Sequence, residues 1–156
     1  MEILKQWVCD VCGGVIEKPE DGYVVWNKEK LEYAEFDYKI LHCGRTRIRE
    51  DGKKFGCDNN HSRYPYSASI VDFLGSKGLV NLLSMIDVGP LHRSEYKEQI
   101  KDMRGFVEFF RRVQLPYYEE ARLYWGNAYD DGYFNGANEV WTYLPSTLEE
   151  LIKRYK

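Results

Sequence analysis

Hydrophobic and polar positions divide the chain into two regimes. Up to about residue 66 the pattern is that of strands and turns. Phe36, Tyr38 and Ile40 alternate with Asp37 and Lys39, the period of a half-buried strand. Tyr23-Val24-Val25-Trp26 is rich in strand formers, so residues 22–41 predict an antiparallel hairpin. Leu31 and Tyr33 lie on the opposite parity, which suggests a bulge near Ala34. Residues 3–8 predict a short strand, and Glu17–Gly22, with its proline and Asp-Gly pair, a turn. A second hairpin is expected over Thr46–Phe55, turned by Asp51-Gly52.

From residue 67 onward the period becomes helical. Ile70, Phe73 and Leu74 form a short apolar face ended by Gly75, with Ser76 placed to cap the next helix. Leu79, Leu82, Leu83 and Ile86 follow at the spacing of one buried face, and Gly89-Pro90 ends it. A longer helix is expected from near Ser94 through Tyr96, Ile100, Met103, Val107, Phe110 and Val113. Leu115-Pro116 breaks it, and Pro116 suits the first turn of a helix running to Asp131-Gly132. Glu119 and Glu120 then sit at that helix's positive end. Residues 132–145 predict an aromatic loop. Ser146 and Glu149 predict a capping box for a last helix facing inward with Leu148, Leu151, Ile152 and Tyr155.

The predicted class is α+β: an N-terminal antiparallel β module over residues 1–66, then about five helices over 67–156, separate from it or continuous with it. At 156 residues and 44% hydrophobic, either arrangement can build a core. A net charge of −3 gives no global attraction to nucleic acid, so any such surface must be a local patch. No stretch approaches the ~20 apolar residues of a membrane span, and no apolar run follows the N-terminal residues as in a signal peptide. A cytoplasmic protein is expected, in a bacterial or phage setting.

In a reducing compartment, cysteine spacing points to metal before disulfide. Cys9-Asp10-Val11-Cys12-Gly13-Gly14 has the form of a zinc knuckle, in which a tight turn brings two thiolates onto one ion. The glycines permit that turn and oppose the helix start of a redox Cys-x-x-Cys. Two further ligands are expected between Leu41 and His61. His42 ends a strand and Cys57 precedes the helical region, so the expected set is Cys9, Cys12, His42 and Cys57. Cys43 can replace His42, and His61 can replace Cys57. A Cys3His set is closed, which makes the Zn2+ structural and worth on the order of 10 kcal/mol of apparent folding free energy.

The order of knuckle, hairpin and later ligands resembles the treble-clef zinc fold over residues 7–74. That scaffold also carries HNH-type nucleases, which implies an enzyme reading through His42, Asn59, Asn60 and His61. Leu41 stands where that family has a metal-binding neighbour, and a zinc-bound His42 is not available as a base.

Two other stretches carry chemistry. Arg45, Arg47, Arg49, Lys53 and Lys54 surround the Asp51-Gly52 turn and can form a phosphate-contacting ridge, with Tyr64 and Tyr66 near enough to stack on bases. The leading reading of these residues is as charges that protect a hairpin edge, and Glu50 and Asp51 dilute them. In the second half, Tyr133, Phe134, Trp141 and Tyr143 fit no periodic face. They either fold over the helices or display a surface for a protein partner. The leading expectation is a non-enzymatic zinc-binding interaction or regulatory protein, followed by a nucleic-acid binder using residues 45–54, then an HNH-like nuclease.

Overall fold

The computed structural model describes residues 1–29, 34–44, 47–48, 50–52, 54–57, 64–91 and 99–156, with the backbone alone at 47, 48, 54, 55 and 99. The architecture is mixed α and β, with most strands in the first half and, apart from one short strand, helices after. A two-stranded ribbon pairs β1 (Trp7–Val8) with β2 (Val15–Ile16), and the cysteine turn closes it. The main sheet has the order β7-β3-β4-β8, built from β3 (Gly22–Lys28), β4 (Ala34–His42), β7 (Tyr66–Ser69) and β8 (Gln99–Ile100). β3 and β4 form the expected antiparallel hairpin, and β8 joins β4 in parallel. A second ribbon pairs β5 (Arg47–Ile48) with β6 (Lys54–Phe55) around Gly52, whose φ of 76° the turn requires.

Leu31 and Tyr33, on which the bulge expected near Ala34 rests, lie outside the described residues; the described irregularity falls further along. The β3–β4 register shifts between Val25 and Asn27, opposite Asp37 at φ 58°. Aspartate tolerates the left-handed region better than a bulky residue, and Ala34 stays in regular pairing. The bulge resets the strand so that Tyr38, Ile40 and His42 all face inward. The strand expected from residue 3 begins only at Trp7, because the Lys5 and Gln6 amides turn back onto the Glu2 carbonyl.

The helices are α1 (Gly75–Ile86), α2 (Met103–Gln114), α3 (Tyr118–Ala121), α4 (Trp125–Asp130), α5 (Glu139–Thr142) and α6 (Pro145–Tyr155). Several boundaries correct the expectations. Ile100 belongs to β8, and α2 starts later because the Asp102 side chain caps it through the Gly105 amide at 2.9 Å. Tyr117, at φ 68°, precedes α3 where Pro116 was expected to start a helix. A 3-10 turn over Arg122–Tyr124 divides what reads as one helix to Asp131. Pro145 opens α6, so Leu144 is its cap and Ser146 lies inside it; the capping box does not form. Ser76 likewise lies inside α1, with Leu74 at the cap. Part of the expected loop 132–145 is α5, capped by Asn138.

The face of α1 is also rotated. Leu82 and Gly78 are buried, whereas Leu79, Leu83 and Ile86 are exposed. A side chain at Gly78 would collide with the Phe73 carbonyl group. The missing Cβ lets α1 close onto the Phe73 backbone and turns the Gly78–Leu82 side inward.

Two cores result. The first joins Trp7, Ile16, Val24, Ile40, Phe73 and Leu82 to Phe106, Phe109 and Val113 of α2. Tyr38 stacks on Phe109 at 5.6 Å and meets Phe106 edge-on at 5.4 Å. Such ring pairs add about 0.5–1.5 kcal/mol each beyond area burial. The second core gathers Tyr118, Ala121 and Ala128 with Leu148, Leu151 and Ile152 of α6. Among the described residues, no helix is long and apolar enough to cross a membrane.

Candidate metal centre

The cysteine turn is set by two backbone bonds, Gly13 N–H to Cys9 O and Cys9 N–H to Gly14 O, both 2.9 Å. Gly13 takes φ 69°, which a side chain would strain. The turn docks on β4 through Asp10: its amide donates to Ile40 O at 2.8 Å, and its carboxylate accepts from Ile40 N–H at 2.6 Å. This places the turn over the end of β4, where His42 points inward. The Cys57 amide donates to His42 O at 3.2 Å, which brings the chain back after the β5–β6 ribbon.

As a result, the donor atoms of Cys9, Cys12, His42 and Cys57 all lie within 4.8 Å of one another. His42 Nδ1 is 3.5 Å from Cys12 Sγ and 3.8 Å from Cys57 Sγ. The other ring nitrogen, Nε2, lies 3.0 Å from Val15 O. A carbonyl only accepts, so Nε2 carries the proton and Nδ1 turns a lone pair towards the sulfurs. That backbone anchor is the usual way a metal-ligating histidine is held in its tautomer.

The donor chemistry fits a metal ion. Burial first, then the Cys12 and Cys9 sulfurs, push the Cys57 thiol up to about 12. Three thiols this close resist ionising together without a cation among them. Ligand bonds of roughly 2.0–2.3 Å put tetrahedral donors about 3.5–3.8 Å apart, so small side-chain rotations close this set around one ion. The four residues therefore lie close enough to hold a metal.

Cys43 lies apart from the cluster; its thiol donates to Glu20 O at 3.3 Å. One residue beyond His42, it takes the opposite strand parity. His61, Asn59 and Asn60 lie outside the described residues, as do Arg45, Arg49, Lys53 and His92 and the side chains of Arg47 and Lys54. The β5–β6 pairing sets Arg47 opposite Phe55 and Ile48 opposite Lys54.

Sequence reasoning missed what supports the centre from behind. Arg112 of α2 is only 5% exposed. Its Nε and Nη2 clasp Glu119 at 2.7 and 3.0 Å, Nη1 donates to Asp10 at 2.7 Å, and Nη2 donates to Val8 O at 2.9 Å. Glu119 accepts from Val8 N–H at 2.9 Å, and Trp7 Nε1 donates to Arg112 O at 3.0 Å. Burial alone would push the guanidinium down, but Glu119 and then Asp10 more than offset this and hold it above its ordinary value. Arg122 joins Glu119 at 3.1 Å. Asp10, Arg112 and Arg122 line a polar cleft of about 210 Å3 that also reaches Asp37, Asp102 and Glu108. No local pattern announces such a network. The one available signal is an arginine on the apolar side of a strongly amphipathic helix.

The aromatic stretch is divided. Tyr133, Phe134 and Tyr143 are half-buried against the second core, and Arg111 lies over the Tyr143 ring at 3.7 Å. Trp141 is exposed beside a shallow recess of about 300 Å3 lined by residues 135–138. The chain matches no family model, no curated protein and no solved structure.

Proposed function

We propose that this is a non-enzymatic zinc-binding protein that acts by binding another protein, with Cys9, Cys12, His42 and Cys57 holding a structural Zn2+. The carrying observation is the completeness of the donor set: three thiols and an imidazole nitrogen converge, and four protein ligands leave a tetrahedral ion no open position for substrate. Thiolates and imidazole favour zinc over the hard, oxygen-seeking cations. The order of cysteine turn, hairpin and ribbon follows a treble-clef-like module. Cys57 is followed by β7 among the described residues and α1 starts only at Gly75, so the likeness rests on the turn and hairpin.

A nuclease reading needs His42 as a base, and its Nδ1 faces the sulfurs instead. The partner surface is assigned to Trp141 and the recess beside it, because an exposed aromatic next to a concavity suits a binding anchor. Tyr133 packs against Trp141 at 5.7 Å and against Phe134 at 5.3 Å, while Tyr143 packs on Tyr118 and Trp125. The test is affinity capture by the zinc-loaded protein, with and without added nuclease. A defined protein partner that survives nuclease and is lost in Trp141→Ala supports the reading. Capture that disappears with nuclease overturns it in favour of the basic ribbon.

A further inference from the structure

We propose that α1 is a self-association surface through which two copies of this chain pair antiparallel about a two-fold axis. The helix buries Gly78 and Leu82 against the first core and leaves a second apolar face outward. On that face Leu79 is 39% exposed, Val80 61%, Leu83 50% and Ile86 46%. At 3.6 residues per turn these four share one arc, while Lys77 and Ser84 project away from it. Leu79, Leu83 and Ile86 are spaced by four and then three residues, the spacing of a helix–helix seam. Monomers seldom leave such contiguous apolar area to water.

The ends of α1 select a second copy over an unrelated helix. Its N-terminus has no side-chain cap and no acid in the first turn. Its C-terminal turn has no basic residue, and the acidic Asp87 stands at the C-cap. Both features are unfavourable to an isolated helix dipole. In an antiparallel pair each Asp87 falls beside the uncapped N-terminus of the other copy, so one patch supplies both the positive end and the acid that answers it. Ser76 and Asp87 project onto the arc itself, between Leu83 and Val80, so the antiparallel pairing sets Asp87 against the first turn of the other copy. An interface between two 12-residue helices is at the small end of specific contacts, so a reversible dimer in the micromolar range is expected.

Sedimentation equilibrium of the zinc-loaded full chain, over a range of concentrations, tests this. The wild type should show a monomer–dimer equilibrium. Leu83→Lys, at the centre of the seam, should weaken it by roughly tenfold or more while zinc content and thermal melting stay unchanged. Asp87→Lys should also weaken it, by placing like charge at each N-terminus. If Leu83→Lys fails to fold, Ile86→Lys gives the same reading one turn on. A wild type that stays monomeric at every concentration overturns the proposal and leaves this face to a different chain. A dimer that persists in the folded lysine variants overturns it as well.

Discussion

Arg112 Nη1 donates to the Asp10 carboxylate at 2.7 Å, and Asp10 sits between the two cysteines of the Cys9–Cys12 turn. The same carboxylate oxygen accepts from the Ile40 amide. One side chain thus fastens the cysteine turn to the strand that presents His42 and to the helix behind it. The first core, the turn and the start of the second core are linked by this polar contact, through Glu119 of α3.

Arg112→Met should therefore destabilise the protein strongly. It leaves Asp10 and Glu119 poorly compensated in a buried setting, a loss of about 3–5 kcal/mol for such pairs. Arg122 already contacts both carboxylates, which places the expected loss near the lower end. Urea unfolding measures it, and a competition titration should show weaker metal binding as the turn loses its support. Arg112→Met/Glu119→Leu should recover part of the stability, because it removes the stranded charge.

Cysteine variants should split sharply. Cys9→Ser removes a buried ligand and should release the metal and a large part of the melting temperature, since structural zinc contributes on the order of 10 kcal/mol. Cys43→Ser should keep one metal per chain, because that thiol bonds the Glu20 carbonyl. Metal content and thermal melting of the two variants check this directly.

The thiols also predict a pH dependence. In the metal-free protein the Cys57 thiol rises from 9.0 to about 12, so the folded state keeps a proton that the unfolded state has lost. Stability from this group is complete below about pH 9 and declines as pH climbs towards 12. Tyr118, held up by burial and by its bond to Glu108, acts in the same direction. Melting of chelator-treated protein across that window should show the decline, and Cys57→Ala should make it shallower, leaving the part that Tyr118 contributes. Zinc binding near neutral pH should release about three protons, one per thiol, readable by calorimetry in buffers of different ionisation enthalpy.

The aromatic stretch should separate binding from stability. Trp141→Ala should leave melting nearly unchanged and abolish partner capture. Tyr118→Ala should cost about 3–5 kcal/mol, the usual loss for a large buried ring, because Tyr118 is fully buried and packs edge-on to Trp125 at 5.3 Å. Denaturant curves and capture on the same two variants check the split.

What the sequence made legible was local. Two cysteines two residues apart, followed by glycine, can form only a few turns, but alternation does not choose between His42 and Cys43, because Ile40, Leu41 and His42 are all buried at the end of β4. The β3–β4 hairpin and the inward residues of α6 follow from the same short-range periodicities. What was hidden depends on distant partners. Glu119 reads as a helix-start acid until Arg112 is seen beside it, and Asp10 reads as filler between ligands. The face of α1 differs from the expected one because that helix is apolar over more than half its circumference, and periodicity cannot say which part of that arc meets the core. Gly78, which lets one side approach Phe73, decides it. Caps failed where proline or a left-handed residue fixed the boundary first, as at Pro145 and Tyr117.

The central claim is a closed metal centre made by Cys9, Cys12, His42 and Cys57. X-ray absorption at the zinc edge of the purified protein tests it most directly. The account predicts one zinc per chain with three sulfurs and one nitrogen in its first shell, and loss of one sulfur or of the metal in Cys57→Ser. A protein that takes up no metal, or a shell containing water or carboxylate oxygen in place of these donors, would contradict it.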